Sequence, residues 1–532
     1  MEAVHARSQG KTGDRVVVIG AGVGGLCAAV RLAHAGLDVT LVEARPTPGG
    51  KMRVVGSAAG PVDAGPTVLT LRGVFEDVFA AAGARLEDHL TLVPQTILAR
   101  HWWPDGSTLD LHADPEASAQ AVAAFAGPVA ETEFRRFHHR TTNVYKAFDA
   151  PMMRASRPMP GAIAWAALRD PALWPSLLPG MTLARSLAMA FTDPRLRQLF
   201  GRYATYVGGS PYRSPAVLGL VWQAEAAGVW AVEGGMHRLA QVLAGLAEAG
   251  GARLRYGVAV ERIVPQWGRV SEVVLADGAS LPADHVVFNG DPAALTTGLL
   301  GSAPRTALRR SATTPRSLSA WVWSFAARPS GPDMVHHNVF FASDPRAEFG
   351  PLSQGLMPED PTLYICAQDR RGATMPTGPE RFEIILNAPS TATLQSQPQE
   401  DTRCRDVTFQ RLARFGLTFD PTPGVSALMA PSGFARMFPG SQGALYGRSP
   451  EGLMAAFQRP GARTALPGLY LAGGGAHPGA GVPMAALSGR HAAEAILTDL
   501  ASRSRSGRTA MPGGISTASP TTAAAPSRSS DS

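Results

Sequence analysis

The stretch RVVVIGAGVGGLCAAVRLAHAGLDVTLVE, Arg15 to Glu43, leaves the chain little freedom in what it can fold into. RVVVIG is a run of consecutive apolar residues, suited to a strand covered on both faces within a parallel sheet. Gly20, Gly22 and Gly25 stand at its end in GxGxxG spacing. The first permits a tight turn, the second lets a pyrophosphate approach the backbone, and the third lets helix and strand pack closely. Leu26 to Ala35 reads as a helix stopped by Gly36, and DVTLVE as a second strand. Glu43 closes that strand eighteen residues after Gly25, where a carboxylate accepts hydrogen bonds from a ribose diol. The whole is a βαβ dinucleotide site whose unpaired helix N–H groups meet the pyrophosphate.

Which dinucleotide follows from what comes next. Glu43 disfavours a 2′-phosphate and hence NADP. Gly49 and Gly50 follow closely, ahead of Lys51, Met52 and Arg53. A short loop that returns a second Gly-Gly to the pyrophosphate suits FAD better than NAD. Far downstream, LYLAGGGAHPGAGVPMAALSGR adds an apolar strand, five glycines in nine residues, and a helix. FAD lies extended, so its ribityl chain and flavin need walls from outside the first βαβ unit. A helix starting near Val482 aims its partial positive charge at the flavin, where reduction places negative charge.

Between the two ends, GGMHRLAQVLAGLAEAGG reads as a helix with a glycine stop, and RLRYGVAVERIV, RVSEVVLADG and HVVFNGDP as successive strands with a turn at Asp277-Gly278. The expected fold class is α/β: a discontinuous Rossmann-like FAD-binding domain (15–75, 215–300 and 440–500) with an inserted mixed α+β substrate domain (76–214 and 301–439). Residues 1–14 are expected to be flexible, and 501–532, dominated by Ser, Thr, Ala and Pro, to be disordered. No window approaches eighteen uninterrupted apolar residues, which argues against a spanning helix. The opening MEAVHARSQGKTGDR lacks the apolar stretch of a signal peptide, which points to the cytoplasm. The net charge of +7 comes from dispersed arginines with no nucleic-acid motif, so an anionic membrane surface is the partner it suggests. Cys27, Cys366 and Cys404 form neither a disulfide framework nor a zinc pattern.

With both ends in view, the chain resembles the carotenoid (phytoene) desaturase family of FAD-dependent amine-oxidase-like flavoproteins. The resemblance rests on the glycine motif from Gly20 to Gly50, DAGPT at Asp63 to Thr67, YVGGSPYRSP at Tyr206 to Pro215, VFNGDP at Val287 to Pro292 and GGAHPGAGVP at Gly474 to Pro483. It spans Arg15 to Arg490. Within the family, GGKMR, CAQDR, LNAP and VPMAALSGR look most like the 1-hydroxycarotenoid 3,4-desaturases, or methoxyneurosporene dehydrogenases. The resemblance implies FAD held by Gly20, Gly22, Gly24, Gly25, Glu43, Ala44, Gly49, Gly50, Lys51, Met52, Asp63, Gly65, Pro66, Thr67, Val260, Gly474, Gly475, Pro478, Gly481, Val482 and Pro483. Lys51 stands where the family usually has arginine, so that arginine's part does not carry over.

The resemblance further implies an acyclic carotenoid substrate, peripheral attachment to the cytoplasmic side of a membrane, and a quinone or oxygen as final electron acceptor. The implied reaction removes two hydrogens from C3 and C4 of a 1-hydroxy or 1-methoxy carotenoid. The polyene spreads the positive charge left by hydride loss, so a weak base suffices, and Glu225 and Glu233 are the candidates. Alternatives within the family are a phytoene or neurosporene desaturase and a carotenoid isomerase. Outside it stand an amine or porphyrinogen oxidase and a non-enzymatic prenyl-lipid carrier of the GDP-dissociation-inhibitor kind. AHPGAG argues against the oxidases and the intact glycines against the carrier.

Other features are weaker. His138-His139 and His336-His337 are adjacent pairs that a strand would point to opposite faces, and no metal is expected. Trp321, Trp323 and Phe325 alternate along one strand face, as either a polyene tunnel wall or a core. Gly161 to Phe191 is apolar but broken by prolines; a membrane-dipping entrance is expected there in preference to buried helices.

Overall fold

In the parallel sheet the strands run in the order Leu469–Leu471, His285–Phe288, Arg15–Ile19, Asp38–Val42, Arg253–Arg255, so the two ends of the chain and its middle meet in one layer. The structure is a computed structural model that describes residues 13–371, 376–395, 398–452 and 454–509. The central strand is apolar at every interior position because the sheet is covered twice. Val16 and Val18 face a core with Leu26, Val30 and Leu243, while Val17 and Ile19 face a second core with Ile263, Val273 and Leu300. Helices Val23–His34, His237–Ala249 and Val482–Thr509 build the first core. A small antiparallel sheet, Val260–Gln266, Arg269–Leu275 and Ser280–Pro282, builds the second. The first and last helices cross closely, since a Cβ on Gly489 would lie 2.2 Å from the carbonyl oxygen of Gly24.

Two sequence expectations need correction here. RLRYGVAVERIV is not one strand: Arg253–Arg255 belongs to the parallel sheet and Val260–Gln266 to the antiparallel one. Gly257, at φ +75°, turns the chain between them. The closing helix continues past Leu500 to Thr509, into the stretch expected to be disordered. Residues 1–12 and 510–532 lie outside the described residues.

The other layer is a mostly antiparallel sheet in the order Thr418–Asp420, Ser319–Ser330, Glu380–Ala388, Leu363–Ala367, His337–Phe340, Ile97–Trp102, Thr108–His112. Its two faces are sorted by the strand period of two. Phe382, Ile384 and Leu386 pack with Trp321, Trp323 and Phe325 against helix Glu400–Arg414, where Trp323 meets Phe409 edge-on. The alternating aromatics are therefore core, not a tunnel wall. The opposite parity, Glu383, Ile385 and Asn387 with Val322, faces a cavity. Helices Pro115–Phe148, Leu183–Ala190, Pro194–Gly201 and Val221–Ala226 pack around Phe134, Phe137, Phe200 and Trp222 on the cavity's far side.

The histidine pairs also differ from expectation. His138 and His139 lie within a helix, where His138 Nδ1 receives the Trp222 indole N–H at 3.2 Å. His336 precedes its strand, so pleat alternation does not separate it from His337, and the two ring centroids are 4.4 Å apart. Their nitrogens and the Cys366 thiol form a buried cluster within 4.8 Å, with His336 Nδ1 on the Ala367 carbonyl and His337 Nδ1 on the Tyr364 hydroxyl.

Candidate active site

A single cavity of about 1530 Å³ opens at the carboxyl ends of Arg15–Ile19 and Asp38–Val42 and continues between the two layers. An ordinary small-molecule pocket holds roughly 300–1,000 Å³, so this one has room for a dinucleotide and a second ligand.

At the dinucleotide end the wall carries Gly20, Gly22, Gly24, Glu43, Ala44, Gly49, Gly50, Lys51 and Met52. The turn after the first strand requires Gly20, which has φ +97°. Glu43 is buried and already committed to its own loop. One carboxylate oxygen accepts the Ala21 N–H at 2.7 Å and the other the Arg45 N–H at 2.9 Å. The second Gly-Gly lies directly on the first, with the Gly49 N–H donating to the Ala21 carbonyl at 2.8 Å and Gly22 bridging Gly49. A Cβ on Gly50 would sit 3.2 Å from Gly22 Cα. Val260 closes the same end from the antiparallel sheet.

Further along stand Gly65, Pro66 and Thr67 on one side and Gly474, Gly475, Gly481, Val482 and Pro483 on the other. Helix Val482–Thr509 therefore begins on the cavity wall and presents unpaired N–H groups and a partial positive charge there. Lys51 projects between them. Its ammonium donates to the Leu445 carbonyl and lies 5.5 Å over the Phe438 ring, and burial brings its pKa down to about 8. Glycines that a Cβ would obstruct, a carboxylate at the strand end and a helix N-terminus across the cavity fit the extended FAD molecule.

Three expected contacts do not reach the cavity. Gly25 packs beneath it, where a Cβ would meet the Gly20 carbonyl oxygen at 2.2 Å. Asp63 faces the start of helix His237–Ala249 and accepts the Met236 N–H at 2.8 Å, a structural anchor. Pro478 is not among the residues that line the cavity. Of the two candidate bases, Glu233 is exposed to solvent and absent from the cavity, which removes it. Glu225 is buried on the wall, holding the Tyr203 hydroxyl at 2.7 Å.

Several wall residues escaped the sequence reading. Asn289, inside the VFNGDP stretch, donates to the Gly20 carbonyl at 3.0 Å and touches the space of Gly22, Gly24, Gly25 and Gly473. Asp291, two residues on, pairs with the buried Arg316. Behind the wall, Arg459 fastens the C-terminal loop by donating to the Gly474 carbonyl at 2.9 Å. Beyond Thr67 the cavity runs between the sheet, carrying His337, Tyr364 and Glu383, and the helical side, carrying Arg202, Tyr206 and Glu225. Thr67 Oγ1 and Tyr364 Oη are 2.6 Å apart. Among the described residues neither Glu383 oxygen has a hydrogen-bond partner; burial, then the charge of Asp63, pushes this acid well up against the pull of Arg53. In RFEIILNA the polar residues Arg381, Glu383 and Asn387 all share one strand parity, broken only by Ile385, and that was the available signal for Glu383 and Asn387.

Residues 23–497 match the family described as flavin containing amine oxidoreductase. The chain is 66% identical over 491 residues to a hydroxyneurosporene desaturase of Cereibacter sphaeroides, covering 92% of this chain and 99% of that one. It is 30% identical to a lycopene-forming phytoene desaturase of a Paracoccus species, over 91% of this chain and 98% of the other. Among solved structures, cyclohexylamine oxidase from Brevibacterium oxydans is similar in fold, with TM-score 0.54 at 17% identity, covering 92% of this chain and 100% of the oxidase.

Proposed function

Because the chain belongs to the flavin containing amine oxidoreductase family, in its carotenoid-desaturase branch, and is an FAD-dependent oxidoreductase, we propose that it desaturates the C3,4 bond of acyclic 1-hydroxy or 1-methoxy carotenoids. The observation that carries this reading is the 66% identity, over 92% of this chain, to a hydroxyneurosporene desaturase, against 30% to a phytoene desaturase. The cavity agrees in shape and chemistry. Past the FAD end it is lined by Val68, Leu98, Trp103, Val322, Phe341 and Phe349, a wall for a long apolar chain.

FAD, held by the wall from Gly20 to Met52 and from Gly474 to Pro483, would supply the two-electron acceptor for a hydride lost from one carbon, with the proton leaving the neighbouring carbon as the C=C bond forms. The protein's own work is to position that chain and keep water out. Glu225, facing the cavity, is placed to take the proton. A quinone or oxygen would serve as the final electron acceptor. We also place the protein peripherally at the cytoplasmic side of a membrane. No described helix is long and apolar enough to cross one. Trp165, Leu168, Trp174, Leu178 and Met189, however, are exposed along Pro160–Ala190, a surface suited to dipping into lipid.

Pigment analysis tests the reaction. A carotenoid-producing bacterial host expressing the protein and supplied with 1-hydroxyneurosporene should accumulate a product one conjugated double bond longer. Efficient conversion of phytoene with no action on the hydroxylated pigment would overturn the substrate assignment.

A further inference from the structure

The Arg202 guanidinium faces a ligand cavity and has no hydrogen-bond acceptor among the described residues. Arg202 opens the short helical turn Arg202–Val207, and its guanidinium lies 5.0 Å from the Tyr206 ring and 5.6 Å from the Tyr364 ring. The two rings hold it in place, yet among the described residues none accepts a hydrogen bond from its side-chain N–H groups. Part of the side chain is accessible, and what it is accessible to is the cavity. A guanidinium offers five donors in a planar fork, and leaving them unpaired away from water is costly. The arrangement is complete only when a ligand brings an acceptor.

The neighbouring charges define that acceptor. Glu225, fixed by Tyr203, interacts with Arg202 electrostatically and offsets its charge. Glu348 is occupied by the Asn387 amide at 2.9 Å, and His337 by Tyr364 at 2.8 Å. With its charge already balanced, Arg202 suits a neutral oxygen, an alcohol or ether, better than a carboxylate. The FAD-facing residues stand elsewhere on the wall, at Gly20 to Met52 and Gly474 to Pro483, whereas Arg202 lies beyond Thr67 among the residues lining the apolar arm.

We propose that Arg202 donates a hydrogen bond to the oxygen on C1 of the carotenoid and so selects 1-hydroxy and 1-methoxy end groups over unsubstituted ones. The inference rests on the desaturase reading above and deepens it. Both end groups present an acceptor lone pair, so a donor is the device that accepts both. C1 and C2 separate that oxygen from C3, and the positive charge created at C4 spreads the other way, along the polyene. Anchoring the oxygen to a cation therefore costs the reaction little while fixing which carbons face the flavin. A site built around such a donor rejects a substrate lacking the oxygen, because the donor is then left unpaired.

The test compares holoprotein of wild type, Arg202→Met and Arg202→Lys with 1-hydroxyneurosporene and neurosporene in the same liposomes, following turnover, carotenoid affinity and flavin content. Arg202→Met should lower kcat/KM for the hydroxylated substrate by roughly 10- to 100-fold. Affinity for neurosporene should stay within about threefold or improve, so that discrimination collapses. Arg202→Lys, which keeps a donor, should retain part of it. An unchanged preference, an equal loss for both carotenoids, or a loss of FAD would overturn the assignment while leaving the desaturase reading intact. A wild-type enzyme inactive on the hydroxylated substrate would sink both.

Discussion

Replacing Glu43 by alanine separates two accounts of that residue. From the sequence it is a hydrogen-bond acceptor for the ribose, whose loss weakens FAD binding. In the structure both carboxylate oxygens hold backbone N–H groups, Ala21 at 2.7 Å and Arg45 at 2.9 Å. Stripping a buried donor of its partner costs about 1–3 kcal/mol, so two such donors cost about 2–6 kcal/mol. Glu43 is on the cavity wall, and water entering the vacated space can satisfy one of the two groups. The lower end, about 2 kcal/mol, is therefore expected for the protein without FAD. Urea unfolding of the FAD-free protein, followed by circular dichroism, measures this, and flavin fluorescence titration measures the cofactor term separately. Glu43→Gln keeps one acceptor and should fall between. An FAD-free Glu43→Ala protein as stable as wild type, with only FAD affinity reduced, would refute the reasoning and return Glu43 to a pure ribose ligand.

Gly25→Ala should abolish FAD retention and destabilise the fold, since its Cβ would meet the Gly20 carbonyl oxygen at 2.2 Å, whereas Gly245→Ala, with open space at an exposed helical position, should stabilise by about 1 kcal/mol; thermal melts of the two variants check both. Burial holds Lys51 near about 8 against an ordinary 10.5, so between those values the unfolded chain binds the extra proton and the stability of the FAD-free protein rises with pH. That rise, at most about 3 kcal/mol, should be missing from Lys51→Met in urea titrations across the range. Trp165→Ser combined with Trp174→Ser should reduce co-sedimentation with anionic vesicles without changing flavin content; unchanged sedimentation would place membrane contact elsewhere.

The dinucleotide half of the site was legible along the chain because its chemistry is local. A strand, a glycine turn, a helix and an acid at a set distance fall within Arg15 to Glu43, and the backbone there has one way to arrange them. The helix start at Val482 was legible for the same reason. What tertiary structure decided is which side chains face the cavity. Trp323 and Val322 are neighbours in sequence, but one is core and the other wall, and the register of Ser319–Ser330 against Glu380–Ala388 assigns the faces. Asp63 and Pro478 sit in stretches shared with FAD proteins yet do not line the cavity, and Asp63 is spent on a helix start. Arg202, Glu225, Tyr364 and Glu383 converge from segments as much as 181 residues apart, and no pattern along a chain encodes such a meeting. A glycine's effect is exerted on its own backbone and can be read one residue at a time. The environment of a buried charge is set by whatever the fold brings against it, and that exists only once the layers have closed.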